Sequence, residues 1–216
     1  MKKEMEKQTY SLKWNPNPPL GAARLVIYAV AAVVYTVMAW RGMIALPTGF
    51  VGISALSIYT GIGFLTPCVM WFSGWGLVIG VIGGIVGAGM LATGMPVVQA
   101  VPAGMVELVV QIPMLIGYRL VAPRLGVSPI GRDVFKAKGF VFFLVWPVIV
   151  TQLWSAISSN LMLHVMGLLP MDALSASVFE WWIGNMIATF VIGIIILGLL
   201  TPVVERLGLT AHGIIT

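Results

Sequence analysis

The sequence predicts an all-α polytopic membrane protein, a six-helix transmembrane bundle with N and C termini cytoplasmic, and three observations carry that expectation. Only 9% of the 216 residues are charged while 59% are hydrophobic, a balance that no soluble domain of this size carries on its surface. The stretch Trp71 to Thr93, WFSGWGLVIGVIGGIVGAGMLAT, has no charged side chain and is long enough to cross a hydrocarbon core of about 30 Å at 1.5 Å per residue. The basic residues gather in three regions: the N-terminal tail with Arg24, the connection from Arg119 to Lys138, and the flank at Arg206; Arg41 alone lies elsewhere. Six crossings put all three regions on one face, and the positive-inside rule makes that face cytoplasmic.

In chain order, residues 1–21 form a cytoplasmic tail with Lys2, Lys3, Lys7 and Lys13, and the prolines of Asn15 to Pro19 favour an extended backbone. No cleavable signal pattern follows. Residues 22–207 are the transmembrane domain and 208–216 a second tail. The first run ends at the interfacial pair Trp40 and Arg41, and at 100° per residue Ala22, Ala29, Ala32, Thr36 and Ala39 form a stripe of small side chains that can meet another helix. Residues 42–49 are expected to be a loop. Phe50 to Met70 is a second, softer run with Pro67 near its end. The third run is expected to be the packing spine, because Gly76, Gly80 and Gly84 recur every fourth residue with Gly83 and Gly87 beside them, which leaves bare backbone for close helix approach. Gly94 to Pro96 turns the chain into the fourth run, Val97 to Ala122, with kinks expected at Pro102 and Pro113. After the hydrophilic connection 123–138 comes the fifth run, Gly139 to Leu169, bent at Pro147. A loop, Pro170 to Ser177, leads to the sixth run, Phe179 to Leu200.

The sequence contains no HExxH, GxSxG, P-loop or CxxC motif, and the expectation is a protein that is not an enzyme. Its histidines are His164 and His212, with the second in the tail, so a bis-histidine haem is disfavoured, and neither a metal nor another cofactor is expected. Topology accounts for the net charge of +5, so nucleic-acid binding is not expected. The chemistry-bearing residues fall in two groups. Glu107 is the one carboxylate inside a hydrophobic run, about 15 Å from the start of its helix, and shares a face with Gln111; an intramembrane acid is by default a functional hypothesis. Asn160 and His164 on the fifth helix, with Trp181, Trp182 and Asn185 on the sixth, collect at the outer end beside Glu180. A pocket there would stack a ring on tryptophan and offer amide, imidazole and carboxylate contacts. Tryptophans beside a carboxylate favour a cationic or nitrogen-rich ring.

This pattern resembles the substrate-binding membrane subunit, or S-component, of energy-coupling-factor (ECF) vitamin transporters. The residues carrying the resemblance are the Ala-rich first helix LVIYAVAAVV, the run FSGWGLVIGVIGGIVGAG, a polar fourth helix and the final WWIGNMIATFVIGIIILGLL. The resemblance implies a multi-pass protein of the cell membrane that binds a small, vitamin-like molecule from outside, drawing on Glu107, Asn160, His164, Trp182 and Asn185; with Gln111 on the face of Glu107 and Trp181 beside Trp182, these are the candidate substrate-binding residues. It also implies partners: membrane lipid, a transmembrane coupling subunit and ATPases that drive vitamin uptake. The family's AxxxA contact for the coupling subunit has its nearest match in Ala32-x-x-x-Thr36 with Ala29. A second reading is a membrane sensory or scaffolding module without catalysis, and a third a secondary transporter with Glu107 as proton relay.

Overall fold

The computed structural model describes residues 10–14, 21–47 and 55–215; Lys2, Lys3, Lys7, the segment 15–19 expected to be extended and the start of the second run at Phe50 lie outside them. The described residues form six helices: α1 (Ala22–Arg41), α2 (Thr60–Phe72), α3 (Gly74–Ala92), α4 (Val97–Arg124), α5 (Ala137–Val165) and α6 (Met171–Arg206). All but α2 are long and apolar enough to cross a membrane. The protein is an all-α polytopic membrane bundle, with one antiparallel hairpin of β1 (Met43–Pro47) and β2 (Ala55–Tyr59) added at one end.

The hairpin replaces the expected loop and the first part of the expected second helix. Gly42 closes α1 by donating its N–H to the Met38 carbonyl at 2.7 Å, and the pairing runs from Met43 opposite Tyr59 to Pro47 opposite Ala55. The thirteen residues of α2 reach only about 20 Å, yet the five of β2 in front of them bring the segment to about 36 Å. Strand and short helix together thus match the depth of one crossing. Non-helical backbone at such depth must be covered by protein, and the cover here is α6. Gly184 lets it come close, since a Cβ there would run into the Ser57 carbonyl oxygen.

The centre of the bundle is α2, not the glycine-rich run. From Gly61 to Phe72 every residue of α2 except Phe64 is buried, and the helix touches α1, α3, α4 and α6. A helix apolar on all sides belongs inside. By contrast α3 leaves Val78, Ile82, Val86 and Met90 exposed along one side and uses its glycines on the other. The Ala39 methyl would lie 2.8 Å from a Cβ on Gly87, so the small-residue stripe of α1 is met within the chain. Ala32 is buried and Thr36 half-buried, its hydroxyl donating to the Ala32 carbonyl at 2.8 Å. A coupling subunit would therefore have to use a different face of α1.

Three indoles donate to backbone carbonyls of a neighbouring helix, and one of those carbonyls is freed by a proline. Pro113 has no N–H to give the carbonyl of Val109, four residues back, and Trp154 Nε1 on α5 donates to that oxygen at 2.9 Å. Trp146 Nε1 donates to the Pro113 carbonyl at 2.8 Å, and Trp182 Nε1 to that of Ile149 at 3.1 Å, beside Pro147. The expected bend regions are wide π-helical turns, Leu144–Val150 around Pro147 and Gly117–Val121 one turn beyond Pro113. These tryptophans tie helices together. The expected loop Pro170 to Ser177 is instead the start of α6, for Pro170 caps the helix and Asp172 lies in its first turn, favourable to the helix dipole.

At the opposite end from the hairpin, residues 10–14 and 209–215 fold under the bundle. Between α2 and α3 the chain reverses at Ser73, buried and with φ of 55°, the one non-glycine residue among those described with a positive φ. The turn is held from outside itself. Gly74 N–H donates to the Ile214 carbonyl at 2.8 Å, Ala211 N–H to that of Trp71 at 2.7 Å, and Trp75 Nε1 to that of Ile215 at 3.1 Å. The N-terminal segment pairs with the same strip: Ser11 N–H reaches the His212 carbonyl at 2.8 Å and Ile214 N–H reaches that of Lys13 at 3.0 Å, while the Tyr10 and His212 rings lie 4.5 Å apart. Arg119, almost fully buried, donates to the Met70 carbonyl at 3.0 Å and lies over the Tyr10 ring.

This packing makes the tail contact sensitive to acid. Burial first, then the charges of Arg119 and Arg24, hold the His212 imidazole below its ordinary pKa of about 6.5. The free histidine therefore binds its proton more readily than the docked one, and docking is favoured above the free value and weakens as pH falls through it. Hydrogen exchange of the Ser11, Gly74 and Ala211 amides should speed up between about pH 7 and 5.5 beyond its intrinsic trend. In His212→Gln that extra acceleration should vanish; its persistence would assign the effect to another group.

Candidate functional site

The hairpin roofs a cavity of about 200 Å³ at the end of the bundle away from the tails, lined by Met43, Ser57, Tyr59, Ser177, Glu180 and Trp181. Each wall has a local cause. Alternation along β2 turns Ser57 and Tyr59 to the same side, and α6 presents Ser177, Glu180 and Trp181 at spacings of three and four residues, one face of a helix. Ser57 Oγ donates to Glu180 Oε1 at 3.1 Å. A carboxylate thus lines one cavity with an indole and a phenol ring, a set of groups suited to a cation. At about 30 Å³ per water the space equals about seven water molecules, which sets a small ligand.

The expected outer residues do not all share this cavity. Trp181 lines it. Trp182, one residue on, points away into a groove with Leu153, Met171, Leu174 and Phe179. Asn160, fully buried, borders the cavity through Ser177: its Oδ1 accepts from Ser177 Oγ at 2.5 Å and its Nδ2 donates to the Ala156 carbonyl at 2.8 Å. One turn further along α5, His164 Nδ1 donates to the Leu169 carbonyl at 2.9 Å, a bond that fixes the proton on Nδ1 because a carbonyl only accepts. Asn185 lies one turn of α6 below Trp181, buried, and its Oδ1 has no hydrogen-bond partner among the described residues.

Glu107 and Gln111 form a separate, deeper group. The exposed residues of α4, Val98, Val101, Met105, Val109, Ile112 and Ile116, define its lipid side, and at 100° per residue Glu107 lies 180° from Val98 and Ile116. The acid faces the bundle interior. It packs on α3, where a Cβ on Gly84 would lie 3.1 Å from Glu107 Cγ and one on Gly80 would lie 3.6 Å from Glu107 Cβ. The next glycine, Gly83, carries the Tyr35 ring. Gln111 Nε2 donates to Glu107 Oε2 at 3.4 Å, and Tyr59 Oη donates to Tyr35 Oη at 3.2 Å. Tyr59 belongs to both groups, lining the outer cavity while its hydroxyl points toward the inner one.

Met43, Ser57, Tyr59 and Ser177 escape a reading from sequence, because Ser57 and Tyr59 lie on a strand inside an apolar stretch and Met43 and Ser177 in segments that read as loops. The turn signal Pro47-Thr48-Gly49 between two short apolar runs is the hairpin mark that was available. Among the described residues no group of three or more His, Cys, Asp or Glu side chains could hold a metal ion. No protein-family model, no curated protein and no solved structure matches the chain.

Proposed function

We propose that this membrane protein is the substrate-binding subunit of an ECF-type importer, capturing a small, cationic, vitamin-like organic molecule from outside the cell for uptake driven by a transmembrane coupling subunit and ATPases. The observation that carries the reading is the cavity between hairpin and α6, where Glu180 sits beside Trp181 and Tyr59. It opens at the end away from Lys13, Arg24, Arg132 and Arg206, the outer end by the positive-inside rule. A ligand there would stack on Trp181, pair with Glu180 and be covered by the hairpin. Nothing in the sequence could cradle a nucleotide phosphate, so energy for transport would come from partners.

The test is to purify the protein from cells and identify small molecules released on denaturation by mass spectrometry. One cationic or nitrogen-rich compound at about one per chain is the expected result, reduced tenfold or more in Glu180→Gln and Trp181→Ala, since a buried charge-assisted contact contributes about 1.5–3 kcal/mol. An empty protein that arrives in fixed ratio with another membrane subunit would favour the sensory or scaffolding reading. Retention of the compound by both variants would remove the cavity from the proposal.

A further inference from the structure

A groove of about 650 Å³ runs between the end of α4 and the start of α5, at the end of the bundle away from the outer cavity. Val121 and Leu125, one turn apart on α4, form one wall, and Lys138, Phe142 and Trp146, each four residues from the next on α5, form the other. The wall is set before anything enters. Trp146 is fixed by its bond to the Pro113 carbonyl and seated against Gly117, where a Cβ would run into the indole. Phe142 stacks on it with 6.0 Å between ring centroids and 5° between planes. Leu125, Val141 and Val145, which also line the groove, are exposed, so it opens sideways toward whatever surrounds the helices. In a membrane that is lipid.

The second observation is the charge at one end of this apolar surface. Lys138 lines the groove, and Lys136 and Arg124 adjoin the lining residues Ala137 and Leu125. All three cations are exposed, and none forms an ion pair among the described residues. The carboxylate of the same connection, Asp133, is engaged elsewhere: its Oδ2 accepts from the Ser128 N–H at 3.0 Å and its Oδ1 is buried. The start of α5 adds to the positive field. No side chain caps it at Lys136, so the N–H groups of its first turn, which have no carbonyl one turn back, favour an anion there. An occupant matched to both features is apolar along most of its length and anionic at one end. By the positive-inside rule this end of the bundle meets the cytoplasmic leaflet, which carries anionic phospholipids.

We propose that the groove between α4 and α5 binds one anionic phospholipid of the cytoplasmic leaflet, with an acyl chain along Phe142 and Trp146 and the phosphate held by Lys138 and the start of α5. The site is separate from the outer cavity and does not depend on what that cavity takes.

Native mass spectrometry of the detergent-solubilised full chain, titrated with phosphatidylglycerol or with phosphatidylcholine of the same acyl chains, tests this. The first phosphatidylglycerol should bind about fivefold tighter than the first phosphatidylcholine, the factor that one lysine near a headgroup contributes, and it should raise the unfolding temperature as a ligand of the folded state does. Lys138→Gln should remove the preference. Arg206→Gln, the same loss of charge at the same end but outside the groove, should keep it. Val141→Trp, which fills the groove from its exposed rim, should weaken phosphatidylglycerol about tenfold, the equivalent of about two buried methylenes. Equal wild-type affinity for the two lipids would overturn the proposal whatever the variants do, leaving the groove to bulk lipid or to a helix of a partner. Equal loss of preference in Lys138→Gln and Arg206→Gln would overturn it too, since the preference would then follow overall surface charge. So would phosphatidylglycerol binding untouched by Val141→Trp.

Discussion

Gly184→Ala should separate the hairpin from α6 and abolish capture of any molecule held beneath it. The backbone of β2 lies directly on Gly184, where an added methyl would meet the Ser57 carbonyl oxygen. A flexible side chain could swing aside, but a strand carbonyl moves only with its strand. Ser57 carries the bond to Glu180, and Tyr59 two residues on lines the same cavity, so displacement alters three of the six lining groups together. Overpacking of this kind costs about 1–3 kcal/mol, against which the helix-propensity gain of alanine over glycine, about 1 kcal/mol, is too small to compensate. The measurement is ligand retention beside unfolding temperature. Retention should fall tenfold or more, with a drop of several degrees in unfolding temperature. Gly208→Ala, at a glycine with open space around it but a positive φ, should lower stability through strain and leave retention intact. Equal losses in the two variants would mean that retention follows overall stability and not the contact between strand and helix.

The second large effect is one of dependence between two side chains on different helices. Trp154→Phe should destabilise the protein by about 1–2 kcal/mol, because it leaves the Val109 carbonyl without a donor in the bundle. The need arises from Pro113, which cannot bond back to that oxygen. In a Pro113→Ala background residue 113 regains its N–H, the ordinary helical bond to Val109 can close, and the indole becomes redundant. The double-mutant cycle should therefore show a coupling of about 1 kcal/mol, read from unfolding in detergent. Additive effects of the two substitutions would mean that the ring packing of Trp154, and not its N–H, is what α4 requires.

The features behind these two effects are legible in the sequence to different degrees. The side of α4 that faces lipid follows from period alone, since Val98, Val101, Met105, Val109, Ile112 and Ile116 fall on one stripe and Glu107 opposite, so an inward acid is legible without coordinates. The small residues of α1 and the glycines of α3 are legible in the same way, as two surfaces suited to each other. The hairpin is not: a short apolar run such as Ala55 to Tyr59 satisfies helix and buried strand alike, and what decides is Gly184, more than a hundred positions away. The glycine count points to α3 as the packing centre, while the central place belongs to α2, whose mixture of Thr66, Pro67, Cys68 and Met70 carries no period to read. Ser177 could have been reached, because Pro170 followed by Asp172 is a helix start. The indole-to-carbonyl bonds could not, for they depend on which helices become neighbours.

The interleaved tails determine when the molecule can be finished. Ser11 waits for His212, and Tyr10 for Thr210, a separation of 200 positions, among the most costly contacts to form in any chain because the ends of so long a loop must meet. Until both segments are in place, the reversal at Ser73 lacks the carbonyl of Ile214 and Arg119 lacks the Tyr10 ring that lies over it. The helices can therefore pack into a bundle that is still ajar at this end, and closing it is a separate, late step of folding.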